Sequence, residues 1–433
     1  MSCFEFAVSI RSIGRHSHAL LVILSLLAPV PIFGASAGEG VPLSLDQALQ
    51  LAVDQSPQIA AQRYGVEAAQ KAITPARELP DPKLFFGIDN LPVNGPQAWS
   101  LTQDFMTMRK IGVMQDFPGA HKRELKGKLA EQMAAREAAM LVDTRASLRR
   151  EVATAWLQRY FAERMSSLVD EQIREVELQQ EAMRAGVRAS RTPPADLLMV
   201  GASLQSLLDR KAQFQKGAAR ARATLSRWLG DAAERPLAPL PPIQLPGDQT
   251  ELRSHIEQHP HVQSLERQVE VAQTEARLAQ AATNPDWGLE FAYAQRGPSY
   301  SNMISLQVSV QLPIFQSTRK APDVAAKMAQ AQQARELRED AIRQHVAEVR
   351  VVWAEWEAAD SRLKRFDQSL LPLADERVKT ALAAYRGGKG ELSAVLAARR
   401  DELDFKMQQL QLQSEQALAY AQLLYFSHEG DGK

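Results

Sequence analysis

Cysteine is nearly absent from the 433-residue chain: Cys3 is the one copy. A lone thiol forms no intramolecular disulfide, and Cys3 precedes the first apolar run, so a processed chain has neither a thiolate metal site nor a thiol nucleophile. Net charge is also absent. The 51 basic and 51 acidic residues cancel, whereas a general nucleic-acid binder shows a basic excess. Aromatics make up only 6% against 24% charged residues, a composition of long solvated helices more than of a compact enzyme core. No P-loop and no G-x-S-x-G is present, so no catalytic constellation is assigned and no cofactor is called for. Nor is there a second long apolar run after the first one. A mature chain in a membrane would then have to be a β-barrel.

That first run reads as a secretory signal over residues 1–37. Arg11 and Arg15 supply the positive flank, residues 19–27 an apolar core, and Ala35-Ser36-Ala37 the small-residue cleavage site. The core is shorter than the ~20 residues that span a bilayer as a helix.

What is present is a duplication. Gln55-Ser56-Pro57 pairs with Gln258-His259-Pro260, Glu67-Ala-Ala-Gln70 with Glu270-Val-Ala-Gln273, and Asp81-Pro82 with Asn284-Pro285, always at one offset. Ser44-x-x-Gln47 is a capping box, and Asp248-x-x-Glu251 plays a similar part in the second half. The first repeat is placed at 38–234 with a β-hairpin at about 82–118. A Pro-rich linker follows at 235–247. The second repeat is 248–428 with a hairpin at about 286–314, leaving a tail at 429–433. Each repeat reads as helix, strand, turn, strand, very long helix, Gly-marked break, helix. The first long helix, about 121–185, lacks proline and would reach on the order of 100 Å. Its counterpart, about 323–384, contains Pro372 and is expected to kink there.

The strands alternate. Ile304, Leu306, Val308, Val310 and Leu312 share one face, with Met303, Ser305, Gln307, Ser309 and Gln311 on the other. Trp287, Leu289, Phe291 and Tyr293 repeat the pattern, as do Leu84, Phe86 and Ile88. That is the apolar-out, polar-in code of a lipid-facing barrel strand. One chain supplies four strands, and the smallest membrane barrels have about eight. The barrel must be shared between copies, and a trimer gives twelve strands.

The plan resembles the TolC-like outer-membrane factor family (outer membrane efflux protein). The resemblance rests on the duplicated helix–hairpin–helix order, on Leu43-Ser-Leu-Asp-Gln-Ala-Leu49 with Ser56-Pro57, and on Tyr385-Arg-Gly-Gly388 followed by Leu392-Ser-Ala-Val-Leu396. It implies a mainly α fold with a small transmembrane β part: a homotrimeric 12-stranded barrel over an α-helical barrel, with a mixed belt around it. It further implies a passive exit duct in a Gram-negative outer membrane. Its partners would be a periplasmic adaptor, an inner-membrane RND pump and outer-membrane lipid, with no nucleic acid. Asp104 to Pro118 with Lys122-Arg123 looks most like the CusC/CzcC-type heavy-metal branch, which suggests copper/silver or cobalt/zinc/cadmium cations as cargo. A drug or type I secretion duct is the alternative, and a periplasmic coiled-coil adaptor or structural protein a second one.

Tip and gate candidates are Gly186, Asp196, Gly387, Gly388, Glu391, Arg399 and Asp401. Relatives carry acidic residues after the Gly motif. Here the stretch from Ala394 to Ala397 has none, so a gate from Arg399 and Asp401 across subunits is the expectation. No metal site is assigned. Met106, Met108 and Met114 are read on one strand face, which is the pattern of an apolar face as well as of thioether ligands. His255 and His259 have an i, i+4 spacing that chelates metals on a helix but is equally that of ordinary surface histidines.

Overall fold

A computed structural model describes residues 41–427, with 191, 244, 246 and 313 excepted. The signal segment, Cys3 and the 429–433 tail lie outside the described residues. The first half runs α1 (Leu45–Gln55), α2 (Pro57–Lys71), α3 (Ile73–Arg77), β1 (Lys83–Asp89), β2 (Met108–Phe117), α4 (Ala120–Arg188) and α5 (Pro194–Leu229). The second runs α6 (Gln249–Ser254), α7 (Pro260–Ala281), β3 (Asp286–Gln295), β4 (Met303–Gln311), α8 (Ala321–Arg365), α9 (Leu371–Arg386) and α10 (Leu392–Phe426).

The repeat is visible in the caps. Ser44 Oγ accepts from Gln47 N–H, and the Gln47 side chain reaches back to Ser44 N–H. Asp248 Oδ1 accepts from Glu251 N–H at 2.8 Å. Ser56 and His259 occupy equivalent N-caps, each followed by proline in the first turn of its helix. Proline is tolerated there because its missing N–H has no partner in any helix.

Helix α4 has 69 residues, on the order of 100 Å at 1.5 Å per residue. It is the spine of the fold and packs against α2, α5, α7 and α10. Its counterpart is continuous from α8 through a π turn at Phe366–Leu370 into α9. The irregularity at Pro372 is thus spread over the turn before it, where a proline leaves the carbonyl four residues back without a donor.

The largest apolar core surrounds Trp156. Leu43, Ala48, Ala52, Ile59, Val152, Leu225 and Leu229 close on it, with Ala417 and Ala421 from α10. Trp156 Nε1 donates to the Leu43 carbonyl at 3.2 Å, so the indole polar atom is satisfied. Leu43 and Leu237 form a short parallel bridge that ties the linker to the start of the first repeat. Arg159, only 2% exposed, completes this joint. Nη1 donates to the Ala233 carbonyl (2.5 Å), Nη2 to the Arg235 carbonyl (2.9 Å) and Nε to Glu163 (2.7 Å).

The four strands form one antiparallel sheet in the order β1-β2-β3-β4. The hairpins of the two repeats are therefore joined edge to edge through β2 and β3, from Arg109 opposite Gln295 to Phe117 opposite Trp287. β1 and β4 are left as open edges.

Candidate channel-forming site

The register sorts the sheet into two chemistries. Residues directly opposite one another share a face. Phe86, Ile111, Tyr293 and Ile304 make one such row, and Leu84, Val113, Phe291 and Leu306 the next. With Ile88, Trp287, Val308 and Val310 they make a largely apolar face, interrupted by Arg109 and Gln295 beside Ile88 and by Gln115 beside Leu289. The side chains that make it are exposed, from 41% at Tyr293 to 72% at Phe86. Each is worth ~1.5–3 kcal/mol when removed from water, so the face withholds on the order of 20 kcal/mol until something apolar covers it. Phe117 stacks on Trp287 at 4.2 Å where the sheet meets the helices. β2, β3 and β4 are 9 or 10 residues long, against the 9–11 residues of a tilted membrane-spanning strand. Among the described residues no helix is long and apolar enough to cross a membrane.

The opposite face carries Lys83, Asp89, Lys110, Asp116, Glu290, Ser305, Gln307 and Ser309. Lys83 pairs with Asp116 and Lys110 with Asp89, each at 2.9 Å. Phe85 lies over Gly112. A Cβ at Gly112 would stand 2.4 Å from Phe85 Cζ and 2.7 Å from the Phe291 carbonyl, so glycine is required for this close approach.

The sheet is fastened to the helices at one joint. Lys122 Nζ, 8% exposed by residue, donates to the Asn284 carbonyl (2.7 Å) and to Asp286 Oδ1 (2.8 Å). Asp286 Oδ1 also accepts from Gly119 N–H at 3.0 Å. A cation at the start of the first long helix thus holds the root of the second hairpin.

At the far end of α4 the two helix breaks come together. Val176 and Met183 of α4, Val200 and Leu204 of α5, and Leu392 and Leu403 of α10 share one core cluster, with Tyr385 of α9 against it. Gly388 takes φ +68° and Lys389 N–H returns to the Ala384 carbonyl at 2.9 Å, a left-handed helix cap. Gly387 is the residue before it, at φ −81°. In the first half Ser190 takes the positive φ instead. Gly186 is expected from sequence to mark the first break, but the helix continues past it to Arg188. It lies inside α4, and its missing Cβ leaves room for Thr192, whose Oγ1 would otherwise be 2.3 Å away. Asp196 sits in the first turn of α5 and Glu391 at the N-cap of α10.

Within the chain, Arg399 and Asp401 each take other partners. Arg399 reaches Glu175 on α4 (2.9 Å) and Glu402 (3.0 Å), while Asp401 takes Arg377 of α9 at 2.6 Å. Arg210 of α5 adds a 2.6 Å bond to Asp404. α10 is therefore clamped to α4, α5 and α9 within its own chain. The Arg399–Glu402 pair at i, i+3 follows from helix spacing, but the interhelix partners depend on packing.

Three other expectations are corrected. Met106 precedes β2 instead of lying in it, while Met108 and Met114 fall on the polar face with Met303. Leu312 is exposed but lies one residue past β4. His255 and His259 are not on one helix: α6 ends at Ser254, and a 3-10 turn intervenes before the His259 N-cap. His259 is 4% exposed and uses both ring nitrogens within the chain, on Tyr425 and His261. Among the described residues no His/Cys/Asp/Glu group is arranged to hold a metal ion. Lys122, Arg159, Phe85 and the contact of His259 with Tyr425 were missed, since each acts on residues distant in sequence.

The arrangement is similar in fold to solved outer-membrane channels. Residues 252–425 match the model of the outer membrane efflux protein family, and the resemblance drawn from the sequence is borne out. Solved structures share the fold at low identity. The outer membrane protein VceC from Vibrio cholerae has TM-score 0.73 and 18% identity, covering 88% of this chain and 96% of that one. CusC, described by its transmembrane channel formation, has TM-score 0.73 and 16% identity over 89% and 92%. The open state of the Neisseria gonorrhoeae MtrE outer membrane channel has TM-score 0.69 and 18% identity over 88% of each. Among curated proteins none matches the sequence.

Proposed function

We propose that three copies of this chain assemble into the outer-membrane exit channel of a tripartite efflux pump, a passive conduit and not an enzyme. The carrying observation is the four-stranded sheet with one largely apolar, exposed face and two unpaired edges. Open strand edges are not tolerated in lipid, so β1 of one copy must pair with β4 of the next until the sheet closes. Three copies make twelve strands, and their long helices continue the duct into the periplasm. A coiled-coil adaptor or structural protein would leave the apolar face without a purpose.

The helix breaks at 189–193 and 387–391 then form the periplasmic end, where an adaptor and an RND-type pump dock. Gly186, Asp196, Gly387, Gly388, Glu391, Arg399 and Asp401 belong to this end. Energy comes from the pump, because a duct needs binding weak enough to release its cargo. Heavy-metal cations are the proposed cargo, on the similarity of residues 104–123 to the metal branch, and the thioethers of Met108, Met114 and Met303 on the polar face suit soft cations.

The test has two parts. The purified full chain in detergent is examined for a heat-modifiable trimer and for conductance in planar bilayers, and a soluble monomer without conductance refutes the channel. A strain lacking the chain is then challenged with Cu, Ag, Zn, Co and Cd salts and with hydrophobic drugs. Sensitivity to a metal group alone supports the cargo reading. Sensitivity to drugs with normal metal tolerance discards it and leaves the channel intact.

A further inference from the structure

Three histidines meet where α4, α7, α8 and the end of α10 converge. His259 and His345 are 4% and 6% exposed, with ring centroids 4.8 Å apart. His261 joins them at 5.5 Å from His345. Tyr425 and Phe426 enclose His259 at 4.5 and 5.6 Å.

The hydrogen bonds dictate the tautomers. His259 Nε2 lies 3.1 Å from the Tyr425 carbonyl, a pure acceptor, so that nitrogen carries the proton. Nδ1 accepts from His261 N–H at 3.3 Å and caps α7. Neutral His259 therefore uses both nitrogens, as donor and acceptor. A second proton on Nδ1 would face a backbone N–H and abolish the cap. His345 Nδ1 lies 3.0 Å from Glu348 Oε2 and its buried Nε2 has no partner. His261 Nδ1 lies 3.0 Å from Asp143 Oδ2.

The surrounding charges are few. α4 supplies Asp143 and Arg150, whose guanidinium sits 4.2 Å over the Tyr425 ring. α8 supplies Glu348, α7 supplies His261, and α10 supplies Tyr425. Each carboxylate already serves one of the other two histidines. His259 has no counter-ion in hydrogen-bond reach and a second imidazole beside it.

We propose that His259, His261 and His345 form an acid-sensitive clasp, which fastens the start of α7 to α8 and to the end of α10 at neutral pH and loosens on acidification. The order of protonation follows the geometry. His261 takes a proton first, because its hydrogen bond to Asp143 raises its pKa. His259 resists, its pKa pushed down to about 4 by burial and then by His345. A base whose folded pKa lies below its unfolded value binds fewer protons when folded, so its contribution is complete above about 6.5 and is lost as pH falls toward 4. His261 has the opposite sign and offsets part of the loss. The full interval for His259 corresponds to roughly a 300-fold change in the closing equilibrium.

The experiment is amide hydrogen exchange on the full chain in detergent at pH 7.5, 6 and 5, corrected for intrinsic rates, with histidine C2 deuteration measured on the same peptides. Protection of residues 259–266 and 420–426 is expected to fall at least tenfold by pH 5, with the 200–207 stretch of α5 as unchanged reference. His259→Asn keeps an N-cap acceptor but does not titrate, and should flatten the pH dependence. C2 deuteration should place the His259 midpoint below 5. A midpoint near 6.5, or pH-independent protection in the unaltered chain, overturns the clasp, and neither depends on how the variant folds.

Discussion

Arg159→Met tests whether the linker is held by a single buried cation. Methionine keeps most of the volume and removes the charge. It strips the carbonyls of Ala233 and Arg235 of their donors and leaves Glu163 with Arg222 at 3.2 Å. Two charge-assisted bonds are worth ~1.5–3 kcal/mol each, and removing a buried guanidinium returns part of that in desolvation. A net loss of about 3 kcal/mol is expected. Leu237 is bridged to Leu43 beside this joint, so thermolysin cleavage before Leu237 requires the linker to lift. At 1.4 kcal/mol per tenfold, cleavage of the folded protein should accelerate roughly a hundredfold. Arg159→Lys, which reaches one carbonyl at a time, should fall between. Unchanged cleavage in Arg159→Met, with the trimer still formed, would refute the assignment.

Gly112→Val should sharply reduce heat-resistant trimer on gels, since its side chain collides with Phe85 and the neighbouring strand; overpacking of this kind costs about 1–3 kcal/mol or more. Lys122→Met should cost about 2–3 kcal/mol by freeing the Asn284 carbonyl and Asp286, read as a lower temperature of trimer dissociation. Arg399→Glu places a third carboxylate against Glu175 and Glu402 and should raise basal conductance in bilayers; conductance equal to the unaltered channel would show that α10 is held elsewhere. The double change Arg399→Glu, Glu175→Arg should bring the conductance part of the way back to that of the unaltered chain.

The sequence alone determined the periodic and local features. Capping by Ser44 and Asp248, proline after Ser56 and His259, the strand alternation of Ile304 to Val310 and the length of α4 follow from near neighbours, because a helix or strand repeats every 3.6 or 2 residues. The duplication was legible for the same reason. Only the tertiary structure decided which distant groups meet. The β2–β3 seam that joins the hairpins, Lys122 on Asp286, Phe85 over Gly112, and Arg399 on Glu175 all link residues dozens to more than two hundred positions apart. Burial likewise turned His259 from a surface-like ligand into a capped core residue. Such pairings are set by how the helices pack, and one helical turn of difference in packing would change every partner while leaving the local pattern unaltered.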